Sequence, residues 1–271
     1  MLKRYASLLA LFVVCLLAGE TAAQAAARWN HPTTPGIWLS GETGRVCEAE
    51  CQRQLLAGLR RLTGWPQLGF NANGQLAVID SAEFSAGSPT ARAVLGQAWQ
   101  SGHVFIIEAH TGSPDVSFGQ LDEGLIYEDN RRGVRLTIWR VRLDLADFKR
   151  ISAPARVRAA FDPGFVFLHE LLHGLGYPDP NRFGEIGACE ARVNQIRAEL
   201  ALPQRAQYFA TAQQMYQSVV MVRLGFQEAS RAANALGQPA KQTQYQLLFL
   251  PELSTAAQRA EAQTQSYLRR R

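Results

Sequence analysis

Two histidines and a glutamate in one short stretch have the types and spacing for hydrolytic chemistry. The chain reads His-Glu-x-x-His from His169 to His173. Four residues separate the histidines, so on a helix both imidazoles project from nearly the same face. Two such imidazoles can bind one zinc ion, and the glutamate between them can take a proton from a water molecule that the metal activates. We therefore expect zinc at His169 and His173, with Glu170 as the general base.

A catalytic zinc ion needs a third protein ligand, and three acidic residues are candidates. Gly176 and Asp179 follow the second histidine at the spacing of the metzincin pattern, His-Glu-x-x-His-x-x-Gly-x-x-Asp, in which histidine is the usual last residue. In the gluzincin pattern the third ligand is a glutamate on the following helix, and Glu185 and Glu190 lie there. Asp179 is the favoured ligand, and the two glutamates stay open as alternatives.

Helix signals bracket the motif and predict the element that positions it. Asp162 is suited to cap a helix whose first residue is Pro163, and Gly174 and Gly176 are suited to end it. The leucines of this stretch fall on the side opposite the histidines. We expect one face of the helix to pack and the other to do the chemistry.

The rest of the chain predicts a small number of helices and strands around that helix. Apolar spacing and breakers predict helices over Cys47–Leu62, Pro89–Gln100 and Ile186–Leu200. Apolar runs and alternation predict strands over Leu76–Ile79, His103–Ala109 and Val134–Leu143. Residues 111–133 are interpreted as a largely polar loop, Gln207–Tyr216 as helical, and Val219–Phe226 as a strand or a helix end. The pattern indicates an α+β fold.

The first residues have the layout of a secretory signal peptide over residues 1–25. Lys3 and Arg4 precede an apolar run from Leu8 to Ala18, and Ala23-Gln24-Ala25 resembles a cleavage site. The run is shorter than the roughly 20 residues of a membrane span, so we expect no stable membrane anchor. Export to the periplasm or beyond is the prediction.

The mature chain is expected to form one domain over residues 26–226, followed by an Ala- and Gln-rich helical tail over 227–271. Cys47 and Cys51 are the nearest pair for a disulfide, although buried thiols are the alternative. Cys189 would then stay free, and nothing in the sequence supports it as a nucleophile.

Composition argues against other classes of protein. The 271 residues carry a net charge of +5, mostly from scattered arginines, without the aromatic or Gly-rich motifs of nucleic-acid readers. The chain has no Gly-x-Ser-x-Gly and no phosphate-binding glycine loop. His31, His103 and His110 lack partners at ligand spacing, so we interpret them as structural.

The chain resembles zincin metallopeptidases, and Phe161–Tyr208 is most similar to the effector-type zinc metalloproteases of bacteria. The resemblance lies in His169–His173, in Val193–Arg205 and in Tyr208. It implies a zincin-like fold with a small sheet beside the motif helix, and zinc-dependent hydrolysis of a protein or peptide. Zincins place a strand beside the cleft for the substrate, and Val134–Leu143 is our candidate. Met215 and Met221 lack the context of the metzincin Met-turn, which keeps the third ligand open.

Several further roles would complete such a site. A donor to the developing oxyanion is needed, and Tyr177, Tyr208 and Arg205 are the candidates. Asn194 and Arg197 are expected to tie the following helix to the motif helix. The alternative function is an exported binding protein in which the motif holds a structural metal or none.

Overall fold

The structure is a computed structural model that describes residues 32–42, 45–79, 86–113, 117–122, 124–131, 133–214, 220–228 and 243–249. The expected signal peptide and His31 lie outside these residues.

The described helices are α1 (Ala49–Thr63), α2 (Pro89–Gln100), α3 (Ala155–Ala159), α4 (Pro163–Gly174) and α5 (Gly187–Glu199). The strands are β1 (Gly36–Leu39), β2 (Leu68–Phe70), β3 (Leu76–Val78), β4 (Val104–Ala109), β5 (Gly119–Leu121), β6 (Leu125–Asp129), β7 (Val134–Leu143), β8 (Ile151–Ser152), β9 (Gln204–Arg205), β10 (Thr211–Gln214), β11 (Val220–Gln227) and β12 (Gln244–Phe249).

A mixed sheet forms the first layer. Its order is β1-β4-β7-β5, and β6 also pairs with β7. Strands β1, β4 and β7 are parallel, whereas β5 and β6 run antiparallel to β7. The apolar run of β4 is buried along most of its length, as expected for a strand with neighbours on both sides.

Helix α4, which carries the motif, lies at the centre of the helical layer. It contacts α1, α2 and α5 and also reaches β5 and β7. Helices α1 and α4 cross closely at two glycines, since a Cβ on Gly58 would lie 2.9 Å from the backbone nitrogen of Gly164. Nearly the whole of α4 is buried. Only the two histidines and the first proline of the helix are partly exposed.

The local signals for the helices are confirmed by their ends. Asp162 accepts a hydrogen bond from the backbone N–H of Phe165, and Ser88 accepts one from that of Ala91. Gly64 ends α1 in the left-handed conformation, with φ of 71°. A disulfide joins Cys47 to Cys51 across the start of α1.

A second, antiparallel sheet has the order β10-β11-β12-β8, with β9 paired to β11. Two sequence predictions were wrong here. Thr211–Gln214 form a strand instead of continuing a helix over Gln207–Tyr216. Gln244–Phe249 also form a strand, so this part of the expected helical tail over residues 227–271 belongs to the sheet, because its alternating apolar residues pair with β11. The rest of that tail, apart from residues 227, 228 and 243, lies outside the described residues.

The sheets and the helices contribute to one main core, a second small cluster consists of Val104, Ile106, Leu136 and Ile138, and the fold is mixed α+β. None of the helices in the described part of the chain has the length and apolarity needed to cross a membrane.

Candidate metal centre

The donor atoms of the motif meet those of Asp179. His169 Nε2 lies 3.1 Å from His173 Nε2. One carboxylate oxygen of Asp179 is 3.6 Å from His169 Nε2, and the other is 3.3 Å from His173 Nε2. Ligand atoms of a tetrahedral zinc ion at roughly 2.0–2.1 Å stand about 3.3 Å from one another. The three side chains therefore have the spacing of ligands on one small cation.

The burial of one Asp179 carboxylate oxygen is a second observation that fits a cation at this position. Its Oδ1 atom is buried and accepts no hydrogen bond from any residue that the structure describes. A buried carboxylate oxygen without a donor is costly, because it has lost its water without replacement. A cation between the two imidazoles would satisfy it.

Cys189 lies near the same group, but on a different side of it. His169, His173, Asp179 and Cys189 have ligand atoms that all lie within 4.8 Å of one another, and together they could hold a metal ion. The Cys189 sulfur is 3.3 Å from Nδ1 of His169, which is the ring nitrogen that points away from His173 and Asp179. In the metal-free protein, burial raises the pKa of this thiol well above its ordinary value. The geometry favours His169, His173 and Asp179 as the ligands.

The two glutamates considered as third ligands lie elsewhere. Glu185 is exposed and does not belong to the group. Glu190 is buried on α5, and its carboxylate lies 3.3 Å from Nδ1 of His169, again behind the ring. It therefore contacts His169 from the side opposite the donor atoms of His173 and Asp179.

The two histidines have different partners at their second nitrogen. His173 Nδ1 is 2.9 Å from the backbone carbonyl of Tyr177, which can accept its proton in a hydrogen bond. His169 Nδ1 faces the side chains of Glu190 and Cys189. In both rings an Nδ1–H donor leaves the lone pair on Nε2, toward the centre of the group.

Glu190 is the centre of a buried charged cluster. Arg197 donates a hydrogen bond to one of its oxygens, and Arg205 Nη1 donates to the other at 3.2 Å. Burial alone would raise the pKa of Glu190, but the two guanidinium groups outweigh it and hold the pKa well below its usual range. Asn194 accepts from Arg197 at 2.8 Å and from the backbone N–H of Arg205 at 2.8 Å, so it joins α5 to β9. We call Glu190, Asn194, Arg197 and Arg205 the Glu190 cluster.

Glu170 lies beside this group of donors and is almost fully buried. Burial raises the pKa of its carboxyl group above the ordinary value, although the neighbouring imidazoles oppose the rise. The backbone N–H of Leu121 in β5 also donates to it. A carboxylate with a raised pKa accepts a proton more readily than an exposed one does.

Asp179 and His173 form an ion pair, with 3.3 Å between Asp179 Oδ2 and His173 Nε2. Burial lowers the pKa of the His173 imidazole, but the hydrogen bond and charge of Asp179 outweigh this and raise it to about 9. Burial likewise raises the pKa of Asp179, whereas the bonds from His173 and Tyr208 lower it below its ordinary value. The acid is thus kept as a carboxylate.

A cavity of about 450 Å³ opens onto this group. Glu170, His173, Asp179 and Tyr208 line it on one side, and Gly119–Asp122 with Trp139 line it on the other. Strand β5 is the edge of its sheet, and in the described part of the chain no strand pairs with its outer side. The Leu121 N–H points outward from that edge to Glu170.

This edge is not the one predicted. Val134–Leu143 is a strand with the expected bounds, but it is flanked by β4 on one side and by β5 and β6 on the other. Only Trp139 of this strand lines the cavity. Strand β5 was missed because it has three residues inside a polar segment. Its one local peculiarity is Phe118, which has φ of 63° and a buried side chain.

Of the three predicted oxyanion donors, the structure brings Tyr208 to the cavity. Its hydroxyl donates to Asp179 Oδ2, and its ring stacks on that of His169 with centroids 5.9 Å apart. Burial and the nearby Asp179 carboxylate raise the pKa of this phenol, so it stays a donor. Tyr177 and Arg205 do not line the cavity, and the Arg205 guanidinium is turned toward Glu190 and the backbone carbonyl of Tyr208.

Known proteins do not identify this site. Comparison of the chain with protein-family models, with curated proteins and with solved structures finds no match in any of the three. The class of site is therefore defined by its own donors: a group of histidines and an aspartate that could hold a metal ion, next to a buried glutamate and an open cavity.

Proposed function

We propose that the protein is an exported zinc-dependent metalloendopeptidase with a zincin-like active site. The observation that carries the proposal is the convergence of His169, His173 and Asp179 at ligand spacing, with Glu170 beside them on the wall of an open cavity. The position of the motif helix against a mixed sheet whose edge strand borders the cavity supports the zincin-like assignment. The disulfide between Cys47 and Cys51 is in keeping with export.

Different residues of the chain perform the different steps of peptide hydrolysis. When bound by His169, His173 and Asp179, zinc acidifies a water molecule and polarises the scissile carbonyl. Glu170 accepts the water proton and returns it to the leaving amine. Its raised pKa suits both transfers, because the group must be a carboxylate first and an acid later.

Two further features position the substrate. Tyr208 lines the cavity and its one hydroxyl proton is donated to Asp179, so its assignment to the developing oxyanion requires this donor to turn from Asp179 to the substrate. The free edge of β5 lets an extended peptide add as a strand, with main-chain hydrogen bonds at Gly119 and Leu121. A substrate bound in this way would compete with Glu170 for the Leu121 N–H, which would free the carboxylate for its proton.

One observation favours a second function, an exported binding protein with a structural metal. Cys189 lies within the same group of donors. If its thiolate joined the other three side chains, the cation would have four protein ligands and no open position for water. Structural zinc sites have such a closed shell.

The proposal is tested with the Glu170→Gln protein. We expect the wild type to bind about one zinc ion per chain and to hydrolyse casein. The Glu170→Gln protein should bind zinc as tightly but lose about a hundredfold to ten-thousandfold in rate, because the general base is gone. Zinc content is measured by atomic emission, and hydrolysis with labelled casein.

Glu185→Gln is the matched control, since it makes the same change on an exposed side chain outside the donor group. It should keep both zinc and activity. Retained hydrolysis in the Glu170→Gln protein would refute the mechanism. Tight zinc with no hydrolysis in the wild type would favour the structural site.

A further inference from the structure

We propose that the Glu190 cluster, with Tyr208, is a positioning network that fixes the tautomer of His169 and the place of Asp179. The proposal rests on the proposed function, because it assigns these side chains to the ligands of that site. None of them touches the substrate in this role. They act through His169 and Asp179.

The network reaches His169 through Glu190. The Glu190 side chain is about 1% exposed and lies 3.3 Å from Nδ1 of His169. A carboxylate can only accept a hydrogen bond, so this contact selects the ring form with the proton on Nδ1. That form leaves the Nε2 lone pair toward His173 and Asp179, where a cation would bind.

The carboxylate is itself held on both oxygens. Arg197 and Arg205 each donate to a different oxygen of Glu190. Arg197 is further fixed by a 2.8 Å hydrogen bond from Nε to the backbone carbonyl of Ala160 and one from Nη1 to Asn194. Guanidinium groups stay charged in proteins, so the cluster has no neutral state that would rotate away from His169.

The same arginine also supports the third ligand. Arg205 donates through Nη2 to the backbone carbonyl of Tyr208, and the Tyr208 hydroxyl donates to Asp179. Glu190 and Arg205 thus connect His169 on α4 with Asp179 in the loop after it. A cation at this site would meet two ligands whose directions are set by one group of side chains.

Stability alone gives a poor account of such a cluster. Arg197 and Glu190 are both about 1–2% exposed, and the desolvation of a buried ion pair offsets most or all of its attraction. Packed apolar side chains of the same size would stabilise the fold as well or better. Positioning of a ligand is a use that apolar side chains cannot supply.

Another buried glutamate provides the control. Glu108 at the end of β4 is also fully buried, and its neighbours are again two arginines and a histidine: Arg45, Arg140 and His110. We call these four residues the Glu108 cluster. His110 lies outside the donor group, so Glu108 has the same kinds of neighbour as Glu190 but no contact with a proposed ligand.

The experiment compares Glu190→Gln with Glu108→Gln. Zinc dissociation constants are measured by competition with a chromophoric chelator, and the cobalt-substituted proteins give d–d spectra. We expect Glu190→Gln to weaken zinc binding by about tenfold to a hundredfold and to change the cobalt spectrum. Glu108→Gln should bind zinc as the wild type does. Equal zinc affinity and spectra in Glu190→Gln and wild type would overturn the proposal.

Two further measurements test the proposal if the Glu190→Gln protein does not fold. The double variant Glu190→Gln/Arg205→Gln keeps the net charge of the cluster and should show the same loss of affinity or a larger one. In the zinc-loaded wild type, ¹⁵N-detected imidazole spectra should show a protonated Nδ1 and a metal-bound Nε2 for His169. Metal binding through Nδ1 of His169 would refute the network without any variant.

The outcomes separate this proposal from the proposed function. A wild type that binds zinc but does not cleave casein refutes the peptidase and leaves the network standing. A wild type that binds and cleaves, with an unaltered Glu190→Gln protein, refutes the network alone. A wild type that binds no zinc overturns both.

Discussion

The molecule contains two buried glutamates with almost the same neighbours and very different surroundings. In the Glu108 cluster the arginine side chains are 43% and 21% exposed, and the ion-pair distances to the glutamate are 3.5 Å. In the Glu190 cluster the corresponding side chains are 2% and 10% exposed, and both arginines donate hydrogen bonds to the carboxylate. One cluster is open to water at its edge, and the other is closed.

The difference shows that residue types alone do not assign a role. Both glutamates have two arginines and one histidine as neighbours, yet only the histidine beside Glu190, His169, belongs to a group of donors that could hold a metal ion. Charges interact more strongly where water is excluded, so the closed cluster can fix a neighbouring ring that an open one cannot.

The largest effect is expected on the stability of the metal-free protein when each carboxylate is removed. Arg197 and Arg205 have described ion pairs with Glu190 alone, so Glu190→Ala leaves two buried cations and should cost about 3–5 kcal/mol in free energy of unfolding. Arg45 and Arg140 both keep Glu42 as a partner, so Glu108→Ala should cost about 1 kcal/mol. Urea denaturation in the presence of a chelator measures both.

A Glu108→Ala protein that is destabilised as much as Glu190→Ala would remove the distinction between the clusters. The Glu199→Ala protein is a further control on α5, since Glu199 caps α2 through Ser88 and Thr90 and contacts neither cluster. It should lose about 1 kcal/mol from the lost cap.

Local signals predicted the element that carries the site, and long-range contacts decided the rest of its surroundings. Helix α4 was predictable because its cap, its first proline and its final glycine are within the segment itself. Strand β5 was not, because three residues become a strand here by pairing with β7 and have no strong propensity of their own. Strand β12 was hidden for a related reason, since its neighbours in sequence suggested a tail and its partner β11 is distant along the chain.

The candidate site likewise has residues that local signals predict and residues whose placement depends on long-range packing. His169, Glu170 and His173 are recognisable because their spacing is fixed by one helix. The third ligand could not be chosen from the sequence, because Asp179, Glu185 and Glu190 are all within reach along the chain. The direction from which Glu190 approaches His169 depends on how α5 packs against α4, and no local pattern records that angle.

The next largest effect separates the two sides of the His169 ring. Asp179→Ala removes a donor on the Nε2 side and should weaken zinc binding by more than about a hundredfold, because a catalytic zinc ion needs three protein ligands. Cys189→Ala removes a thiol on the Nδ1 side, beside Glu190, and should change zinc affinity by less than about tenfold. Isothermal titration of both proteins with zinc measures the difference.

The reverse order would overturn the ligand assignment. A Cys189→Ala protein that binds zinc a hundredfold more weakly, together with Asp179→Ala binding near wild type, would make the sulfur a ligand and the site a closed one. Glu185→Gln serves again as the control for a general effect of changes in the loop between α4 and α5.

The smallest expected effect is the change in zinc affinity per pH unit, and its sign follows from the protonation of His173. The pKa of this imidazole is raised to about 9 through Asp179, and zinc binds the ring only after the proton has left. Zinc affinity should therefore rise by roughly tenfold per pH unit between pH 6 and 8, where the metal-free ring is still protonated.

The raised pKa of His173 also stabilises the metal-free fold, fully below pH 6.5 and progressively less as the pH approaches 9. The rise in zinc affinity therefore enlarges the increase in melting temperature that zinc causes as the pH rises. Melting curves with zinc or chelator at pH 6, 7 and 8 measure this increase, and His110→Gln in the Glu108 cluster should show the same slope. A zinc-induced shift that shrinks with rising pH would mean that the proton on His173 does not compete with the metal, and Asp179 would lose its place beside that ring as the shared partner.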